Sequence, residues 1–202
     1  MTSLGTVTYD AFYDLMAMLD SPVLAVTTQA DGHPAGCLVG FATQTSVNPP
    51  SFMLGLARGG ATAEVAARSE YLAVHVLRHG QQALAGVFGG RSSDGADKFA
   101  RCSWRAGPCG MPILDDSAAW FVGRTVSRSD VGDYVAYLLE PVSAWAPEQP
   151  DELLYRFDLD FDIDAPDDGG DVPGGYQAAF HERQRLHPTR RYGVPRFTLD
   201  FP

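Results

Sequence analysis

Between Pro22 and Ala57 the chain leaves no room for a helix. Three apolar, strand-like runs follow one another: residues 22–28 (PVLAVTT), a run that starts at Gly36 (GCLVGFATQTSV) and residues 51–57 (SFMLGLA). The breaks between them carry turn chemistry. Asp31-Gly32 suits a tight hairpin, and Asn48-Pro49-Pro50 forbids helix because proline lacks an N–H and restricts the residue before it. Strands joined by such short turns pair antiparallel. The order therefore predicts a meander or barrel, mainly β, and excludes a doubly wound sheet with helical crossovers.

The flanks add short helices and more strands. Phe12, Leu15, Met16 and Leu19 fall at helical spacing, with Thr8 as N-cap and Ser21-Pro22 as the stop. Residues 58–68 read as a glycine-containing loop opening a short helix, 71–77 (YLAVHVL) as a continuous strand, and 81–88 as another short helix. Residues 89–112 read as a long surface loop around one helical turn at 97–100. Two further strands, 118–127 and 134–145, are joined through residues 128–133, for about six strands in all. After Pro147 the composition changes. Residues 157–164 alternate apolar and acidic side chains as a half-buried strand would, 167–175 form an acidic, glycine-rich linker, and 181–191 are basic. The expected division is a domain over residues 8–147 and a C-terminal extension over 148–202.

Charge and motifs narrow the chemistry. A formal charge of -10 argues against a nucleic-acid surface, which needs a concentrated positive field. Apolar runs fall short of the roughly 18–20 residues that span a bilayer, and the first residues lack a signal-peptide pattern, so a cytoplasmic protein is expected. Cys37, Cys102 and Cys109 have no metal-ligand spacing, and the aspartates of 157–164 lack the glycine and glutamate of a calcium loop, so no metal is expected. Standard hydrolase elbows, metalloprotease helices, Walker loops and Rossmann glycine fingerprints are missing from the sequence. His75, on an apolar strand, reads as a core histidine.

Two stretches suit a ligand. In 36–50, Gly40 and Ala42 let a flat molecule approach the backbone, while Thr43, Gln44, Thr45 and Ser46 offer uncharged hydrogen bonds. Arg58-Gly59-Gly60-Ala61-Thr62 supplies a cation, glycine amides, a hydroxyl and a helix N-terminus, the parts of a phosphate site, although a plain turn into a helix fits these residues equally well. Lys98 and Phe99 offer a second cation and an aromatic wall.

In series, these features resemble the flavin reductase-like family over residues 12–145. The matching pieces are SPVLAVTT at 21–28, DGHPAG at 31–36, the whole of 36–50, YLAVHVL at 71–77, DKF at 97–99, Trp104, PIL at 112–114 and GDY at 132–134. The resemblance implies an FMN-binding split β-barrel of Greek-key type and a homodimer. Its flavin contacts would fall on Val39, Gly40 and Phe41 at the ring edge, Gln44, Thr45 and Ser46 beside the ring and ribityl chain, Arg58, Ala61 and Thr62 at the phosphate, and Lys98 and Phe99. Asp133 and Tyr134 would face the nicotinamide or substrate, with tyrosine where many members carry histidine. The implied activity is that of an NAD(P)H:flavin reductase, using FMN or FAD with NADH or NADPH and supplying a partner monooxygenase. A split-barrel flavin carrier without nicotinamide turnover, or a deazaflavin or haem-type ligand binder, remains open beside it.

Overall fold

The computed structural model describes residues 12, 15–16, 18–89, 97–149, 151–159 and 163. The chain divides into two compact units, residues 20–170 and a second formed by 1–19 with 171–202. In the second unit Phe12, Leu15 and Met16 are helical. The remainder of the predicted opening helix, the acidic linker and the basic tail lie outside the described residues.

The larger unit is built on a seven-stranded antiparallel sheet: β1 (Leu24–Ala30), β2 (His33–Val39), β3 (Ala42–Val47), β4 (Pro50–Ala57), β5 (Tyr71–Val76), β8 (Ala119–Val131) and β9 (Tyr134–Trp145). A two-stranded ribbon, β6 (Trp104–Ala106) with β7 (Pro112–Leu114), lies within the predicted surface loop. The spatial order of the main sheet is β2-β1-β5-β8-β9-β4-β3, so its two edge strands are neighbours in sequence. Were the sheet flat, six spacings of about 4.8 Å would hold β2 and β3 nearly 30 Å apart. Val39 and Ala42, the last residue of one and the first of the other, are three Cα steps apart and reach at most about 11 Å. The sheet must therefore curl until its edges meet. Gly40 and Phe41 form that junction, and the run expected as one strand from Gly36 is broken there into two.

Local chemistry sets each turn of this path. Asp31 and Gly32 take φ of 54° and 77°, the paired positive values of a two-residue hairpin loop, and Gly132 takes 57° in the loop from β8 to β9. That loop is two residues long, because β8 runs on to Val131 past the predicted end at Ser127. Register shifts at Val122/Gly123 and Thr125/Ser127 mark where the long pair bends around the barrel.

Both faces of the sheet are covered. Leu24, Val26, Leu54, Leu72, Tyr137 and Leu139 point inward, with Ala63 and Ala66 of helix α1 (Ala61–Ala66) packed among them. Each such leucine contributes roughly 1.5–3 kcal/mol by leaving water. The alternate residues Val23 and Ala25 point outward and pack with Leu38, Leu77 and Phe88, the last from helix α2 (Gln82–Gly89). Residues buried on both faces explain why β1 reads as a continuous apolar run. Gly36 is required where α2 crosses β2: a Cβ there would stand 2.7 Å from Cε1 of Phe88 and 3.0 Å from the Val26 carbonyl. Gly36→Ala should destabilise the fold by about 2 kcal/mol in urea unfolding, since Phe88 has no room to retreat. A wild-type midpoint would contradict that packing.

The sheet's partners extend beyond the expected boundary at 147. Leu154 is fully buried; its N–H donates to Leu77 O (2.9 Å) and its carbonyl accepts from Val23 N–H (2.7 Å). Leu153 and Tyr155 bridge Arg78 and Pro22, and Leu159 is 3% exposed in the outer cluster. Of the strand suggested by the alternation at 157–164, Phe157 and Asp158 instead belong to a 3-10 turn, Arg156–Asp158, and residues 160–162 and 164 lie outside the described residues. The Asp158 carboxylate accepts from the Tyr155 N–H at 3.0 Å, and that local cap wins over strand pairing.

Candidate functional site

The curl leaves a gap. β2 and β3 do not pair, and between the end of β2 and the end of β4 opens a pocket of about 70 Å³, continuous with solvent. Its walls come from Cys37–Gly40, Gly55–Ala57, Gly60–Ala63, Phe88–Gly89, Lys98, Tyr134 and Ile163.

Small residues shape one side. The N–H of Gly55 donates to the Phe41 carbonyl at 2.8 Å and ties the junction to β4. A Cβ at Gly55 would come 3.4 Å from Cδ1 of Tyr134 and 3.6 Å from Cβ of Phe41, so the glycine keeps two rings close to the backbone. Those rings meet edge to face, with centroids 4.9 Å apart and planes at 88°. Phe41 is half-exposed and outside the pocket lining, but it props Tyr134, which lies in it.

The other side is suited to an anion. Gly60 caps α1 without a side-chain hydrogen bond, which leaves the amides of the first turn directed outward. Thr62, 5% exposed, lines the pocket, and its hydroxyl has no hydrogen-bond partner among the described residues. The buried hydroxyl without a partner among the described residues is Thr125 Oγ1; that of Thr62 is reached from the pocket and is open to a ligand there. Lys98 brings the positive charge. Its Nζ donates to the carbonyls of Gly36 (3.3 Å) and Phe88 (3.2 Å), which fixes the amine at the seam between β2 and α2. Accessible hydroxyl, open helix terminus and ammonium together fit a phosphate-bearing flavin.

Other predicted residues sit beside the pocket or away from it. Arg58 pairs with Asp130 at 3.2 Å, with both side chains well exposed, so this ion pair contributes little energy. Its N–H, however, donates to the Asp133 carbonyl at 2.9 Å and links the entry to α1 with the turn that carries Tyr134. Gln44, Thr45 and Ser46 lie on edge strand β3 and are absent from the pocket wall. There the Gln44 amide donates to Ser46 O (3.0 Å), and Thr45 Oγ1 shares a hydrogen bond with Ser51 Oγ (2.8 Å). Phe99 is a core residue, 6% exposed, edge to face with Phe88 and Trp104, and forms no wall of the pocket. Sequence reasoning overlooked Gly55 and Ile163. A glycine inside the apolar run SFMLGLA signals close backbone approach. Ile163 gives no such signal.

His75 is fully buried away from the pocket. Its Nε2 accepts the Leu114 N–H at 3.2 Å, so Nδ1 carries the proton and donates it to Ala25 O at 3.2 Å. Burial, opposed by the Ala25 bond, pushes its pKa down to about 4. It is a structural crosslink between β1, β5 and β7. Among the described lining residues no histidine or carboxylate occurs.

An antiparallel barrel split at one seam, with an anion-suited pocket in the split, defines a nucleotide-cofactor barrel. The chain belongs to the flavin reductase like domain family, whose model matches residues 16–160. It is 30% identical over 145 residues to an FMN reductase (NADH) RutF of Methylorubrum extorquens, covering 72% of this chain and 70% of that one. To the RutF of Pseudomonas syringae pv. syringae it is 32% identical over 146 residues, 72% and 81% of the two chains. Among solved structures, nitrilotriacetate monooxygenase component B of Mycobacterium thermoresistibile superposes with a TM-score of 0.66 at 25% identity, over 72% of this chain and 80% of that one.

Proposed function

We propose that this protein is an NADH-dependent flavin reductase that holds FMN, or FAD in its place, in the split between β2 and β4 and supplies reduced flavin to a monooxygenase component. The observation that carries this reading is the meeting, in one pocket, of the Val39–Gly40 backbone with the accessible Thr62 hydroxyl, the open α1 terminus and Lys98. Bound flavin would supply the electron chemistry, accepting a hydride equivalent from the nicotinamide. The chain's own residues bind and orient. The first-turn amides at Ala61 and Thr62, with the Thr62 hydroxyl, hold the phosphate; Arg58 and Lys98 set the positive potential around it. Val39, Gly40 and Phe41 present backbone to the ring edge. Tyr134, steadied by Phe41, borders the nicotinamide side beside Asp133. Hydride transfer needs no base, and the described lining residues include neither a histidine nor a carboxylate.

The protomer also leaves apolar surface at its β3 edge: Val47 on β3 is 83% exposed, and Phe41 just before β3 and Met53 on the adjoining β4 are exposed as well. An unpaired edge strand with such neighbours calls for cover, which a second copy provides in a cytoplasmic homodimer; Gln44, Thr45 and Ser46 would then be covered as well. Among the described residues no helix is long and apolar enough to cross a membrane.

The test is an absorption spectrum with FMN, followed anaerobically by NADH and then NADPH. The expected result is a flavin band near roughly 450 nm that NADH bleaches. Binding without bleaching by either donor would instead make the protein a flavin carrier, the reading that Tyr134 at the usual histidine position favours. No flavin binding would turn attention to a deazaflavin or haem-type ligand.

A further inference from the structure

We propose that Ile163, which lies beyond the stretch matched by the family model, forms part of the cofactor wall, so that the segment after the barrel takes part in flavin binding. The inference rests on the flavin-binding reading above. Residues 16–160 match the family; Ile163 follows them and yet lines the pocket with Phe88, Gly89 and Lys98.

Its position is fixed from behind. The segment leading to it is stitched to the barrel at Leu153 and Tyr155, held by the two backbone bonds of Leu154, and capped at Arg156–Asp158. Leu159 is buried in the outer cluster, and four residues further on Ile163 packs against that same cluster. Four residues reach at most about 14 Å, so an anchored Leu159 confines Ile163 to this side of the barrel. One face of its side chain meets the cluster beside α2, and another meets the pocket. With Phe88, Ile163 gives the pocket an apolar surface, which suits the ring common to riboflavin and FMN. The phosphate goes to Thr62 and α1.

The experiment titrates riboflavin and FMN by fluorescence quenching into the full chain and three variants. Ile163→Ala should weaken both ligands by a similar factor, about five- to tenfold, the effect expected from losing most of one aliphatic contact. Ile163→Leu should restore binding to within about twofold, since volume is kept. Leu84→Ala supplies the structural control. Leu84 packs on the same outer cluster but is no part of the pocket wall, so its loss should lower the melting temperature and leave both affinities unchanged. Three results would overturn the proposal: wild-type affinity in Ile163→Ala, a loss confined to FMN, or an equal loss in Leu84→Ala. Failure of the wild-type chain to bind either flavin would instead overturn the function proposed above.

Discussion

Thr62→Asp should leave the protein folded and raise its dissociation constant for FMN by at least about a hundredfold, while riboflavin loses less than about fivefold. Position 62 lies in the first turn of α1, after a cap that uses no side chain. A carboxylate there faces the positive end of the helix and can accept one of its unpaired amides, so the fold tolerates it. The ligand does not. Two like charges about 4 Å apart repel by about 4 kcal/mol at an effective dielectric near 20, and a phosphate dianion doubles the opposition. A hundredfold loss needs less than 3 kcal/mol, so the prediction survives considerable screening. Thr62→Ala, which removes one hydrogen bond to a charged group, should cost FMN about tenfold. Fluorescence titration with the two flavins separates the causes. Equal losses for both would mean that the aspartate merely fills the pocket, and unchanged FMN affinity would remove the phosphate from α1.

The residues of that site were legible to the degree that local chemistry created them. Gly60, Ala61 and Thr62 announce a glycine-led helix start, and Asp31-Gly32 announces a hairpin, because each depends on neighbours in sequence. Position within the barrel depends on neighbours in space. Nothing local in Gly36–Val47 says that its halves become opposite edges of one sheet; that follows from β5, β8 and β9 inserting between them. Gln44, Thr45 and Ser46 therefore read as pocket residues from their chemistry, yet within one protomer they lie on an outer edge. Lys98 and Phe99, adjacent in sequence, separate for a similar reason: on a 3-10 turn their side chains diverge, one to the pocket and one to the core. The β6–β7 ribbon was hidden because three-residue strands carry too little periodicity. Nothing in the run DELLYRF singles out Leu154 from Leu153, and only a site on the sheet that it can fill makes it core.

His75 shows the same dependence on distant partners, and it should dominate the acid response of the barrel. Its apolar strand already argued for a core role. The two backbone partners, from β1 and β7, explain why a histidine occupies the position: one ring satisfies a carbonyl and an amide that lie on different strands. Only the neutral ring does both, because a protonated Nε2 cannot accept the Leu114 N–H. The folded-state pKa of about 4 lies below the ordinary 6.5, so the native protein binds this proton more weakly than the unfolded chain. The contribution is therefore fully present above pH 6.5 and is lost as pH falls from there through 4. Across that window it amounts to about 3 kcal/mol. The check is urea unfolding of wild type and His75→Gln at several values between pH 7.5 and 4.5. Glutamine can donate to one partner and accept from the other but does not titrate, so the variant should be less stable at neutral pH and lose less on acidification. Carboxylates titrate in both proteins, and their effect cancels in the difference between the two curves. That difference should narrow by about 2 kcal/mol or more by pH 4.5, most of the span available to one buried histidine. A difference independent of pH would mean that the imidazole takes up its proton within the fold, and the crosslink between β1, β5 and β7 would then have to survive with Nε2 protonated.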